Sequence, residues 1–227
     1  EGIDVARLPE EHAGGKWLLR YESAVGEGGN LELDMNFMFR LPLWRPVWRN
    51  SRSFGSFKAT GIPVLDRHEL AAGKLAALLS RRASRDLFDA HRLLTRGKLD
   101  RSKLRLGFVL YGAMNRKDWR TVRPDDVMFD VREIERELLP VMRRDFGEKS
   151  DSPGDWALRL AKECRRSLDI VLPLSPNEEK FLDRLLDHGD IEPSLLTTEK
   201  AMAERIKVHP LLHWKALNAR KHKHSKS

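Results

Sequence analysis

From His68 onward the apolar residues recur at three- and four-residue steps, the period of a helix with one buried face. Leu70, Ala71, Leu75, Leu78 and Leu79 make one stripe, and Lys74 lies inside that pattern. Ser84 is placed to cap a second helix, whose stripe is Leu87, Ala90, Leu93 and Leu94. Asp86 falls in the first turn of that helix and Asp89 one turn later, so the two carboxylates share a side. A Lys on one helix and an Arg-Asp pair opening the next suits a phosphorylated ligand, and Lys74 and Asp86 are expected to approach each other around it. The same residues have a plainer reading. Asp86 suits the positive end of the helix dipole, a gain of about 0.3–1 kcal/mol. Arg82–Asp86 and Arg85–Asp89 are four residues apart, the spacing of surface pairs that contribute about 0.3–0.5 kcal/mol each.

The helical period continues beyond this pair. Asp100 caps a further helix with Leu104, Phe108 and Tyr111 on one face, although LRLGFVLYG by itself also reads as a strand. Helices follow over Val131 to Arg144, with Ile134, Leu138, Val141 and Met142 on one side, and over Asp155 to Leu172 behind Ser152-Pro153. Another covers Pro176 to His188 and stops at Gly189, and two short ones cover Pro193 to Leu196 and Ala201 to Val208. Helices separated by Pro/Gly turns describe a bundle. Asn115 to Arg123 is a basic turn that either contacts RNA or is a solvated loop pinned by Trp119.

Near the beginning the period changes to two. In Asn30 to Arg40, Leu31, Leu33, Met35 and Phe37 fall on one face and Glu32, Asp34 and Asn36 on the other. This strand is expected to pair with Lys16 to Tyr21 as a hairpin. Leu41 to Ser56 has no period. Its Trp44, Trp48 and Arg residues suit base stacking and phosphate contact, or else Trp anchors that pack a long loop onto the core. The expected fold class is therefore α+β, a partial mixed sheet followed by a mainly helical C-terminal domain. Its segments are 1–66, 67–219, and a basic tail at 220–227 that is expected to be disordered.

The net charge of +8 and a pI near 9.7 favour polyanionic partners. The single Cys164 excludes an intramolecular disulfide and fits a reducing, cytoplasmic setting. No run approaches the roughly 18 apolar residues of a membrane span. Eight His occur without a metal-binding spacing, so structural zinc is unsupported.

HELAAGKLAALLSRRASRDLFDAHRLL resembles the signature of the AbiEii/AbiGii toxin family, whose members are nucleotidyltransferases. The similarity extends through FVLYGAMNRKDWRTV to HPLLHWKALN. The resemblance implies transfer of a nucleotide from an NTP to an RNA end, with tRNA as the RNA, within a toxin–antitoxin or phage-defence pair whose cognate antitoxin acts with or without direct contact. It implies Mg²⁺ as cofactor, with Asp34 holding metal or activating the attacking hydroxyl. Lys74 then binds the triphosphate and Asp86 organises the site, while Arg85 contacts phosphate and Asp89 lies behind them. The sequence departs from the family in lacking a Gly-Ser followed about ten residues later by Asp-x-Asp; Gly55-Ser56 with Asp66 lies downstream of the Asp34 strand, in the wrong order. In the family that motif precedes this region. An N-terminal part is therefore expected to be missing, and the chain as it stands is expected not to transfer nucleotides. The alternative is a non-catalytic nucleic-acid or partner-binding remnant of the same scaffold.

Overall fold

The computed structural model describes residues 3–7, 14–23, 26–36, 41–81, 83–142 and 152–224. The chain divides into two compact units, Glu1–Pro42 and Leu43–Ser227.

The first unit holds a three-stranded sheet in the order β1 (Asp4–Arg7), β2 (Gly14–Glu22) and β3 (Gly28–Asn36). The expected hairpin is present, with Lys16 opposite Asp34 and Trp17 opposite Leu33. Among the described strands every pairing is antiparallel rather than mixed. That follows from the few residues between consecutive strands, since a parallel pair needs a long crossover. Strand alternation puts Lys16, Glu32 and Asp34 on one face and Trp17, Leu31, Leu33 and Met35 on the other. Arg7 lies over the Trp17 ring, 5.8 Å from its centroid. Phe37 and Arg40 lie outside the described residues.

The second unit begins with an arm. Strand β4 (Val47–Arg49) pairs antiparallel with β5 (Ile62–Val64), so the stretch expected to be irregular carries a short ladder. Helices α1 (Arg67–Ser80), α2 (Ser84–Arg96) and α3 (Arg101–Ala113) follow. LRLGFVLYG is thus helix, capped as expected by Asp100, whose side chain accepts from the Lys103 N–H. Asp66 caps α1 through the His68 N–H. α4 is one turn, Val131–Glu133, running on as a π-helical turn, Ile134–Leu138, and a 3₁₀ turn, Leu139–Val141. There Ile134 and Leu138 are buried, but Val141 points outward at 77% exposure. Pro140 lacks the N–H that would carry the helix onward with Val141 on the buried side.

α5 (Pro153–Ser167) starts at the Ser152 cap, and α6 (Pro176–Asp183) ends through a π turn at Gly189, whose φ of 72° is the left-handed value expected there. α7 spans Lys200–Lys207, and α8 spans Pro210–His224. α8 carries Leu211, Leu212 and Ala216 into the core and extends to His224, so most of the expected tail continues a helix. The core lies where α1 packs on α3 and α2 on α5, around Leu75, Leu78, Leu87, Leu104 and Phe108.

The unit boundary at Pro42 and Leu43 precedes the expected one at 66. The reason is local. The Leu43 N–H donates to Glu69 Oε1 at 2.9 Å, and the Leu43 carbonyl accepts from Arg205 at 2.7 Å. Residues from 43 onward are thereby tied to α1 and α7.

Candidate active site

Two ion pairs mark the junction of α1 and α2. Lys74 Nζ lies 2.7 Å from Asp89 Oδ2, with both side chains about a third exposed. Arg81, just past the end of α1, grips Asp86 with two parallel bonds, Nε to Oδ2 at 2.6 Å and NH2 to Oδ1 at 3.1 Å. Asp86 has no exposed surface, whereas the Arg81 side chain is 55% exposed. The carboxylate hydrogen bonds raise the Arg81 pKa, so its charge is fixed. Lys74 therefore has Asp89, not Asp86, as its carboxylate partner. Asp86 uses its carboxylate to aim Arg81, and a group with no accessible surface does not itself touch a ligand. Arg85 is exposed and, among the described residues, has no ion-pair partner. Arg82 lies outside the described residues.

Three cations thus stand near the junction, two of them positioned by carboxylates. An exposed Lys–Asp pair is worth little in water, about 0–1 kcal/mol, so a phosphate can displace the Asp. The Arg81–Asp86 pair is of another kind. Its carboxylate is buried and its fork is held bidentately, the geometry that presents a guanidinium to a second anion. Nothing in the spacing pointed to Arg81, because it precedes Asp86 by five residues across a break between helices. Ser84 is also placed differently from expectation. Ala83 is the N-cap of α2, and Ser84 turns both its N–H (3.1 Å) and its hydroxyl (2.8 Å) to Glu133 Oε2, tying α2 to α4.

Buried polar groups hold α1 in place. Glu69, 1% exposed, accepts from the N–H groups of Leu43 (2.9 Å) and Trp44 (3.4 Å) and from the Tyr111 hydroxyl (3.0 Å). Burial raises its carboxyl above the ordinary range against the pull of those donors. The neighbouring His68 accepts the Asp100 N–H on Nε2 at 2.9 Å, so the ring carries its proton on Nδ1 and donates to Asp66 at 2.8 Å. Burial alone would raise Asp66, but the two His68 donors outweigh it and hold the carboxyl low.

Asp34 belongs to the other unit. It is exposed on the polar face of β3, two residues from Glu32 and opposite Lys16, with no ion-pair partner among the described residues. Among the described residues no group of three or more His, Cys, Asp or Glu side chains gathers closely enough to hold a metal ion by itself. A lone exposed carboxylate still fits Mg²⁺, which takes one or two carboxylates together with substrate phosphates.

The basic turn after α3 is occupied internally. Trp119 is wholly buried against Phe108, with ring centroids 5.0 Å apart. Arg120 bridges Asp118, Asp183 and Asp187 at 2.7, 2.9 and 2.6 Å. Lys117 pairs with Asp126 at 2.8 Å and reaches the Leu79 carbonyl. Cys164 is buried, its thiol pushed up to about 12 by burial, and has no nucleophilic character at neutral pH.

The profile of the family described as nucleotidyl transferase AbiEii toxin, type IV TA system, matches residues 2–208. A search of curated proteins returns no match. Among solved structures the chain is similar to MenT4, a nucleotidyltransferase toxin from Mycobacterium tuberculosis H37Rv. The TM-score is 0.53 at 14% identity, over 91% of this chain and 67% of that one. No helix among the described residues is long and apolar enough to cross a membrane. The match over most of its length makes this chain a member of the AbiEii nucleotidyltransferase toxin family.

Proposed function

We propose that the chain serves a toxin that, in the cytoplasm, transfers a nucleotide from an NTP to an RNA end, with tRNA as the RNA and a cognate antitoxin opposing it. The observation that carries this reading is the α1/α2 junction, where carboxylates position Lys74 and Arg81 as exposed cations. Lys74 and Arg81 bind the phosphates, Arg85 adds a third contact, and Asp89 and Asp86 hold the first two in place. Asp34 is the carboxylate that would hold Mg²⁺. When bound, such an ion would supply charge neutralisation to phosphate oxygens. The 227 residues contain no Gly-Ser…Asp-x-Asp segment, so Asp34 stands without the carboxylates that usually accompany it. This favours a second reading, a scaffold that binds nucleic acid without catalysis.

Incorporation of labelled NTP into a tRNA pool separates the two. This chain alone is expected to bind NTP without incorporation. A form supplied with a Gly-Ser…Asp-x-Asp segment ahead of Glu1 is expected to incorporate label, and to lose at least about a hundredfold in rate with Lys74→Ala, as for removal of one preorganised electrostatic contact. Full activity of that form with both Lys74→Ala and Arg81→Ala in place would remove the junction from the reaction.

A further inference from the structure

We propose that the arm built from β4 and β5 is a binding surface for single-stranded RNA. The inference rests on RNA being the substrate class in the preceding reading. The arm is held by its own polar bonds. Phe54 and Phe57 exchange backbone bonds at 2.8 and 3.0 Å, and the Ser51 N–H donates to the Ala59 carbonyl at 2.8 Å. The Gly61 N–H donates to the Asn50 side chain at 3.0 Å. Its large side chains take no part in this. Trp48, Phe54 and Phe57 are 69%, 86% and 77% exposed.

Charge points to the same occupant. From Leu41 to Leu65 there is no Asp or Glu, in a chain with 34 of them. Arg45, Arg49, Arg52 and Lys58 are all exposed, and among the described residues none has an ion-pair partner. By contrast, Lys74, Arg81, Lys117 and Arg120 each hold a carboxylate. Unneutralised cations interleaved with open aromatic faces match a polyanion whose bases are free to stack. A duplex supplies the phosphates but keeps its base faces inside. Three of the four cations are Arg, whose planar fork fits phosphate and stacks on bases. In the sequence Arg49 and Arg52 fall between Trp48 and Phe54, so cations alternate with aromatics along the arm.

The test is fluorescence anisotropy of the full 227-residue chain with a labelled single-stranded oligoribonucleotide of about 12 nucleotides, a length within the site sizes of single-strand binders. NTP and Mg²⁺ are left out, so failure of nucleotide transfer cannot affect the result. Trp48→Ala with Phe54→Ala and Phe57→Ala is expected to weaken binding at least about tenfold through lost stacking. Arg45→Gln, Arg49→Gln, Arg52→Gln and Lys58→Gln together should flatten the dependence of log affinity on log salt by about 0.7 per removed cation. A blunt RNA duplex of the same length should compete poorly. Wild-type affinity and salt slope in either folded variant would overturn the proposal. So would duplex binding equal to single-strand binding, or binding to phosphatidylglycerol vesicles with none to the RNA. If the aromatic variant fails to fold, the charge variant decides. An arm that binds RNA, together with no incorporation by the form supplied with a Gly-Ser…Asp-x-Asp segment, sustains this inference and overturns the preceding one.

Discussion

At the residue scale, Arg81 and Asp86 are unequal partners, and the inequality can be measured. Removing the guanidinium leaves a carboxylate with no exposed surface and no other charged partner among the described residues, whereas removing the carboxylate leaves an Arg that water can reach. Arg81→Ala is therefore expected to lower the unfolding free energy by about 2–3 kcal/mol, below the figure for a wholly buried pair because Arg81 is half exposed. Asp86→Asn should cost less, and urea denaturation of the two variants gives the order. Equal losses would show that Asp86 is not held by Arg81 alone. What the sequence made legible here was the residue types, not their pairing. Lys74, Arg85, Asp86 and Asp89 follow from spacing and resemblance, while Lys74–Asp89 and Arg81–Asp86 depend on the angle between two helices, which periodicity does not encode.

Elements were legible wherever a period ran long enough. The helix pair, the β2–β3 hairpin and the Asp100, Ser152 and Gly189 boundaries appear as expected. The arm and the start of α2 were not, since a three-residue strand has no period to detect and Ser84 finds Glu133, 49 residues away, instead of capping its own helix. Packing between elements sets a second test. A Cβ at Gly112 of α3 would collide with the buried Trp119 indole. Gly112→Ala is thus expected to destabilise by about 3 kcal/mol or more, at the upper end of overpacking costs, and a thermal melt reads it directly.

Titration separates the turns from the helices. Arg120 hydrogen bonds hold Asp118 below the ordinary carboxylate range; Asp126 is also low, its Lys117 and Arg123 contacts outweighing the effect of burial. Their stabilising effect is complete above the unfolded value near about 4 and is lost as pH falls through the lowered native values. Glu69 runs the opposite way. Its raised native pKa makes its charge unfavourable at neutrality, a penalty relieved as pH falls towards its ordinary 4.5. Stability should therefore hold or rise slightly on acidification from neutrality, then fall below about pH 4. Glu69→Gln should abolish the first effect and leave the second, as melts across the pH range would show.

For the whole molecule, the two units make different demands on the sequence. The helical unit has its own core and secures its first residue, Leu43, through Glu69 and Arg205. Residues 43–227 alone are expected to unfold cooperatively at nearly the melting temperature of the full chain, and a non-cooperative fragment would contradict that independence. The boundary was misplaced from sequence because 43–65 shows no helical period, and only its long-range hydrogen bonds assign it to the helices. The arm within that segment has a further consequence. Its ladder is made by backbone groups with Ser51 and Asn50, so exchanging the residues at its tip changes stability by only about 0.5 kcal/mol. Mutations there are nearly free of folding cost, and selection can retune what the tip grips from one lineage to the next while the α1/α2 junction stays unchanged.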